Sequence, residues 1–105
     1  MVREIPRLKA EFFKTLGHPL RIRVLELLSE RDRSVSDLLG EIAVEQPQLS
    51  QQLGVLRRAG LVTARREGAN AVYTLADPRV AELLATSRQI LLDMLTATRD
   101  ELRAS

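Results

Sequence analysis

The sequence predicts a mainly α fold closed by a small β-hairpin (α+β), on three observations. Apolar residues recur at three- and four-residue spacing in five separate segments, each long enough for a helix. Two short runs rich in strand formers, Leu61–Glu67 and Ala71–Leu75, flank the turn signal Glu67-Gly68-Ala69-Asn70. The 105 residues suit a single domain, 1–105, and no internal repeat or low-complexity linker divides them. Phe12, Phe13 and Tyr73 are the only aromatic residues, so the core must be aliphatic.

Each element follows from its own residues. Ile5, Leu8, Phe12 and Leu16 keep helical spacing, with Phe13 alongside, which predicts an amphipathic first helix over about 5–16. Gly17-His18-Pro19 interrupts it, and Pro19 starts a second helix. Ile22, Leu25 and Leu28 line one face of that helix with Val24 and Leu27 beside them, so it should be central. Glu30-Arg31-Asp32-Arg33 reads as its charged, solvated end. Ser34-Val35-Ser36 reads as a brief extended piece, with Ser36 the expected N-cap of a third helix and Asp37 well placed in its first turn. Leu38, Leu39 and Ile42 supply that helix's buried side.

A turn at Val44-Glu45-Gln46 leads into the fourth helix. Pro47 suits its first turn, Leu49, Leu53 and Leu56 form its apolar stripe, and Gly60 stops it. Gln48, Ser50, Gln51, Gly54 and Val55 fall outside the stripe. The hairpin follows at about 61–75. Asp77-Pro78 then opens a last helix over about 78–102, in which Val80, Leu83, Leu84, Leu91, Met94, Leu95 and Leu102 keep the helical rhythm. That stripe exceeds what one small core needs, and dimerisation through it is the expected use.

Composition removes several function classes. With 45% apolar and 29% charged residues this is a folded, globular composition. The absence of cysteine removes disulfides, thiolate catalysis, thiol redox sensing and zinc sites that need sulfur. No apolar run approaches the ~18 residues of a membrane span. The opening MVREIPRLKAEFFK lacks the apolar stretch of a signal peptide, so a cytoplasmic location is expected. No Ser-His-Asp order, paired-acid motif or Gly-rich phosphate loop occurs, so neither catalysis nor a cofactor is expected.

The order of elements is α-α-β-α-α-β-β-α. Helix, tight turn and helix over about 36–59, then a hairpin carrying arginines, describe a winged helix-turn-helix. In that arrangement the second helix of the pair enters the DNA major groove. The amides and hydroxyl outside the leucine stripe are groups that hydrogen-bond base edges. Charge agrees: residues 46–75 carry Arg57, Arg58, Arg65 and Arg66 against Glu67 alone, whereas 34–45 carry Asp37, Glu41 and Glu45 with no base. Of the sixteen basic residues all but Lys9 and Lys14 are Arg, the side chain that suits forked phosphate and guanine contacts.

From Phe12 to Leu75 the chain resembles the ArsR/SmtB family of small bacterial repressors. FFKTLGHPLRIRVLELL is similar to the family's opening helix, Asp or His, Pro and Arg-containing helix. EQPQLSQQLGVLRRAGLV resembles its recognition helix, and ARREGANAVYTL its wing. The resemblance implies a homodimer built on the first and last helices that binds an inverted-repeat operator and represses transcription. Carried over by position, Gln46, Gln48, Ser50, Gln51 and Gln52 match the base-contacting helix. Arg57 becomes a candidate phosphate contact, and Arg65, Arg66 and Asn70 match the wing. Candidate interface residues are Leu8 and Phe12 on the first helix and Leu84, Leu91, Met94 and Leu95 on the last.

The chain departs from the family pattern at three positions. Glu45 stands where a capping Ser or Thr is usual, Gln52 where His is common, and Asn70 where a wing Arg is common. Many members sense metals through a Cys pair in the third helix or Asp and His on the last. Here the third-helix stretch is Ser34-Val35-Ser36-Asp37-Leu38, and the last helix has no His. No metal site is expected. Two other readings remain open: a winged-helix module used only for protein–protein contact, and a metal- or pH-responsive sensor using His18 with carboxylates. For Arg21 and Arg23, phosphate contact competes with salt bridges to nearby Glu.

Overall fold

The computed structural model describes residues 4–104. Its elements are α1 (Ile5–Leu16), α2 (Pro19–Glu30), β1 (Arg33–Ser34), α3 (Val35–Glu41), α4 (Gln46–Arg58), β2 (Val62–Glu67), β3 (Asn70–Leu75) and α5 (Arg79–Ala104). The order is the one expected of a winged helix-turn-helix.

The hub is α2, which packs against α1, α4, α5 and β3. Pro19 occupies its first turn, and His18 caps it, Nδ1 accepting from the Leu20 N–H at 3.2 Å. Val24 and Leu25 are fully buried and Leu20, Leu27 and Leu28 nearly so, whereas Ile22 is half-buried. Such a wide arc of burial needs apolar residues on more than one side of the helix, and α2 has them.

Three expectations are corrected, the first being the extended piece, which is Arg33–Ser34 rather than 34–36, so that α3 already starts at Val35. The cap of α3 is Ser34, not Ser36: Ser34 Oγ accepts from the Asp37 N–H at 3.0 Å while Asp37 Oδ2 accepts from the Ser34 N–H at 3.1 Å. This reciprocal box satisfies two orphan donors, which a lone cap two residues later cannot do. The Glu30–Arg33 run is also more than a solvated end, because Arg33 is only 4% exposed. Its Nε donates to the Leu27 carbonyl at 3.3 Å and its Nη2 to Glu30 Oε1 at 2.7 Å. Leu27 belongs to the last turn of α2; its carbonyl accepts only a long bond from the Arg31 N–H, at 3.5 Å, and a guanidinium is well received at this end of the helix.

The hairpin is part of a three-stranded antiparallel sheet in the order β1-β3-β2. Arg33 and Ser34 of β1 pair with Tyr73 and Val72, and across the hairpin Val62 faces Leu75, Arg65 faces Val72, and Glu67 faces Asn70. Gly68 turns the hairpin at φ +60°, a left-handed conformation that glycine adopts freely. The core is aliphatic, with Leu38, Leu49, Leu53, Leu56 and Val62 almost fully buried. Phe12 packs against its edge, ring centroid 5.5 Å from the exposed Phe13. In α5 only Val80 is buried, with Leu83 and Leu84 packed on the core, and every residue from Ala85 to Ala104 is exposed. At 1.5 Å per residue the helix is about 39 Å long, so most of it projects from the domain.

Candidate nucleic-acid interface

Two amphipathic helices joined by the turn at 42–45 present the site. The N-cap of α4, Glu45, makes no side-chain cap bond. Pro47 offsets that loss, because it has no N–H and leaves one orphan donor fewer. The far end closes through Gly60 at φ +78°, with the Gly60 N–H bonded to the Arg57 carbonyl and the Leu61 N–H to the Leu56 carbonyl, both at 3.0 Å. This is the paired closure that a left-handed glycine permits. It buries Leu56 and Leu61 together and directs the chain into β2.

Leu49, Leu53 and Leu56 hold α4 to the core, which turns the opposite side of the helix outward. Gln46, Gln48, Ser50 and Gln51 are exposed, and none of the four makes a side-chain hydrogen bond among the described residues. Gln52 behaves differently. It is half-buried, and its Oε1 accepts from Arg21 Nε at 2.7 Å. Arg21 pairs with no Glu among the described residues; its Nη1 donates instead to the Thr15 carbonyl at 2.9 Å.

Arg57 and Arg58 are both exposed in the last turn of α4, where cations complement the helix end. At 100° per residue Arg58 lies opposite the leucine stripe with Gln51, while Arg57 lies toward the flank. A Cβ at Gly54 would come within 3.1 Å of Arg58 Nη1, so the guanidinium lies over the bare stretch of helix at Gly54. Arg58 is thus a candidate that motif matching passed over, although its four-residue spacing from Gly54 was the available signal.

On the wing the two adjacent arginines differ. Arg65 is bonded to Asp32 at 2.9 Å and to Thr74 Oγ1 at 3.1 Å, with Glu67 at 3.6 Å. The hydrogen bond from Arg65 holds the Asp32 carboxyl below its usual range, and the same bond raises Arg65 further. Arg66 and Asn70 are exposed at the outer end of the hairpin, and Arg66 makes no ion pair among the described residues.

Residues 18–64, from the cap of α2 into β2, match the family described as bacterial regulatory protein, arsR family. An uncharacterised HTH-type transcriptional regulator of Mycobacterium tuberculosis, Rv0081, is 58% identical over 102 residues, covering 93% of this chain and 90% of that one. The chain belongs to the arsR family. It is a winged helix-turn-helix, DNA-binding transcriptional regulator.

Solved structures of other proteins agree with the fold. The crystal structure of M. tuberculosis Rv0081 superposes with a TM-score of 0.84, covering 90% of this chain and 95% of that chain. That of the transcriptional repressor BigR from Xylella fastidiosa gives 0.78 at 37% identity, over 85% and 91%. The solution structure of the homodimeric winged helix-turn-helix domain Mb0332 from Mycobacterium bovis also gives 0.78, at 29% identity, over 89% and 86%.

Of the candidate interface residues of this arsR-family chain, Leu8, Leu91, Met94 and Leu95 are more than half exposed. Phe12 and Leu84 are half-buried against the chain's own core. Ile5, Phe13, Ile90 and Leu102 extend the exposed apolar surface on the same two helices. His18 is engaged as the cap of α2. Among the described residues no three His, Asp or Glu side chains gather into a group able to hold a metal ion.

Proposed function

We propose that this arsR-family regulator is a homodimeric repressor that binds an imperfect inverted repeat. The carrying observation is the outward face of α4: Gln46, Gln48, Ser50 and Gln51 are exposed and none of their side chains hydrogen-bonds within the described chain. Those groups match base edges in the major groove, which an α-helix fits. Arg57, Arg66 and Asn70 supply phosphate or minor-groove contacts that set affinity and its salt dependence. The exposed apolar residues of α1 and α5 form the dimer face, and the homodimeric Mb0332 domain supports that arrangement. Two-fold symmetry puts the paired recognition helices into half-sites about one helical turn apart. A cytoplasmic location goes with this role, and no helix of the described residues is long and apolar enough to cross a membrane.

Footprinting and gel shifts on the DNA upstream of the protein's own gene test the reading. The expected result is a protected, two-fold-related site whose complex survives excess competitor DNA. Binding that competitor removes equally well would defeat it, and no DNA binding at all would favour a module for protein contact.

A further inference from the structure

One guanidinium joins two elements that serve different parts of the proposed function. Arg21 sits half-buried in the first turn of α2, with Nε on Gln52 Oε1 at 2.7 Å and Nη1 on the Thr15 carbonyl at 2.9 Å. Thr15 lies in the last turn of α1, where carbonyls lack helical partners and a positive charge is favoured. Gln52 lies in the middle of α4. A bond from a charged donor is shorter and stronger than one between neutral groups. An amide oxygen held in this way is withdrawn from the groups free to turn toward a base.

We propose that Arg21 is a positioning residue. It clamps Gln52 to the end of α1 and so fixes the angle of the recognition helix against the helix that carries part of the dimer face. Gln52 reads no base, and sequence choice falls to the exposed side chains of α4. The inference rests on the DNA-binding reading above. It also gives a shared function to two residues that the sequence leaves apart, Arg21 with phosphate contact and salt bridges to Glu both open, and Gln52 as a match to a base reader.

Anisotropy titrations of Arg21→Ala, Gln52→Ala, the double variant and Gln52→Glu, against the operator and its single-base-pair variants, test the clamp. Each single alanine variant should weaken every sequence by a common factor, about tenfold for one charge-assisted bond. The double variant should be no weaker than either single one, because both remove the same bond. Gln52→Glu keeps an acceptor for Arg21 and should bind within about threefold of wild type, whereas a carboxylate turned to the phosphates would abolish binding. Loss of discrimination at one base-pair position in Gln52→Ala, additive losses in the double variant, or abolished binding by Gln52→Glu overturns the proposal. Thermal unfolding without DNA separates this failure from failure of the DNA-binding reading. Non-additive losses in Tm support the clamp and additive losses overturn it, even if the wild-type chain binds no DNA specifically.

Discussion

Gln51 lies opposite the buried leucines of α4, so its amide is the group best set to pair with a base edge. Gln51→Ala should cost about 1–3 kcal/mol at one base-pair position and little elsewhere. Titration against single-base-pair operator variants measures this, and a uniform loss would move Gln51 to the backbone contacts. The wing arginines should separate in a salt series. Arg65 is already balanced by Asp32 and Glu67, whereas Arg66 makes no ion pair among the described residues. Arg66→Ala should therefore reduce the slope of log affinity against log salt by about 1, and Arg65→Ala by clearly less. Equal slopes would mean that Arg65 leaves Asp32 when DNA binds. In the sequence the pair Arg65-Arg66 shows no such difference. Asp32 is 33 residues away and reaches Arg65 only because β1 docks on β3.

At the scale of elements, what the sequence made legible was local. Apolar spacing marked the five helices, and Gly68 between two runs of strand formers marked the wing, because each signal lies within one turn or one hairpin. What escaped depended on pairing between distant segments or on competition between neighbours: β1 joining the sheet, Arg33 being buried with its side chain on the end of α2, and Ser34 displacing Ser36 as cap. The site divided in the same way. The exposed amides of α4 followed from periodicity, but the capture of Gln52 by Arg21 needs the packing of α2 on α4. The cap correction is testable, since the seven-residue α3 is too short to sustain itself without ends and packing. Ser34→Ala should cost about 1 kcal/mol, a Tm loss of roughly 4–8 °C in a domain of this size, while Ser36→Ala should change little. The reverse order would restore Ser36 as the cap. The start of α5 predicts a pH response. Asp77 accepts from the Arg79 side chain at 2.7 Å and from its backbone N–H at 2.9 Å, and these bonds lower its pKa to about 2. Arg65 lowers Asp32, and the Ser34 N–H lowers Asp37. Each folded-state value lies below the unfolded one, so the stabilisation is complete above about pH 4 and is lost as pH falls through the folded values. Tm should drop from about pH 4 toward pH 2, and Asp77→Asn should show a shallower drop. An Asp77→Asn chain with the full wild-type slope would remove Asp77 from the account.

For the whole molecule the decisive feature is the apolar surface that one chain leaves uncovered. Leu91, Met94, Leu95 and Leu102 on α5 are 57, 59, 65 and 73% exposed, and Leu8 and Phe13 on α1 are 58 and 55% exposed. Burial of apolar surface is worth roughly 25 cal/mol per Å², so a few such side chains on each of two copies are a strong incentive to pair. The molecule measures 59 × 41 × 22 Å along its principal axes, and every residue of α5 from Ala85 to Ala104 is exposed, so a substitution on that part of α5 can be separated from folding. Leu95 is the residue to change, because it is wholly outside the core cluster and near the middle of the exposed stripe. Leu95→Glu would place an unpaired carboxylate in the interface, a change whose cost falls on the dimer rather than the chain. The variant should keep its helical circular dichroism yet run as a monomer by light scattering. Its Tm should no longer rise with protein concentration. Operator affinity should fall by at least about 100-fold, because the second half-site is no longer engaged at the effective concentration that linkage provides. Half-site affinity should stay near wild type, since α4 and the wing are untouched. A Leu95→Glu chain that remained dimeric and bound the operator normally would move the interface away from α5, and the inverted-repeat geometry would have to be rebuilt on another face.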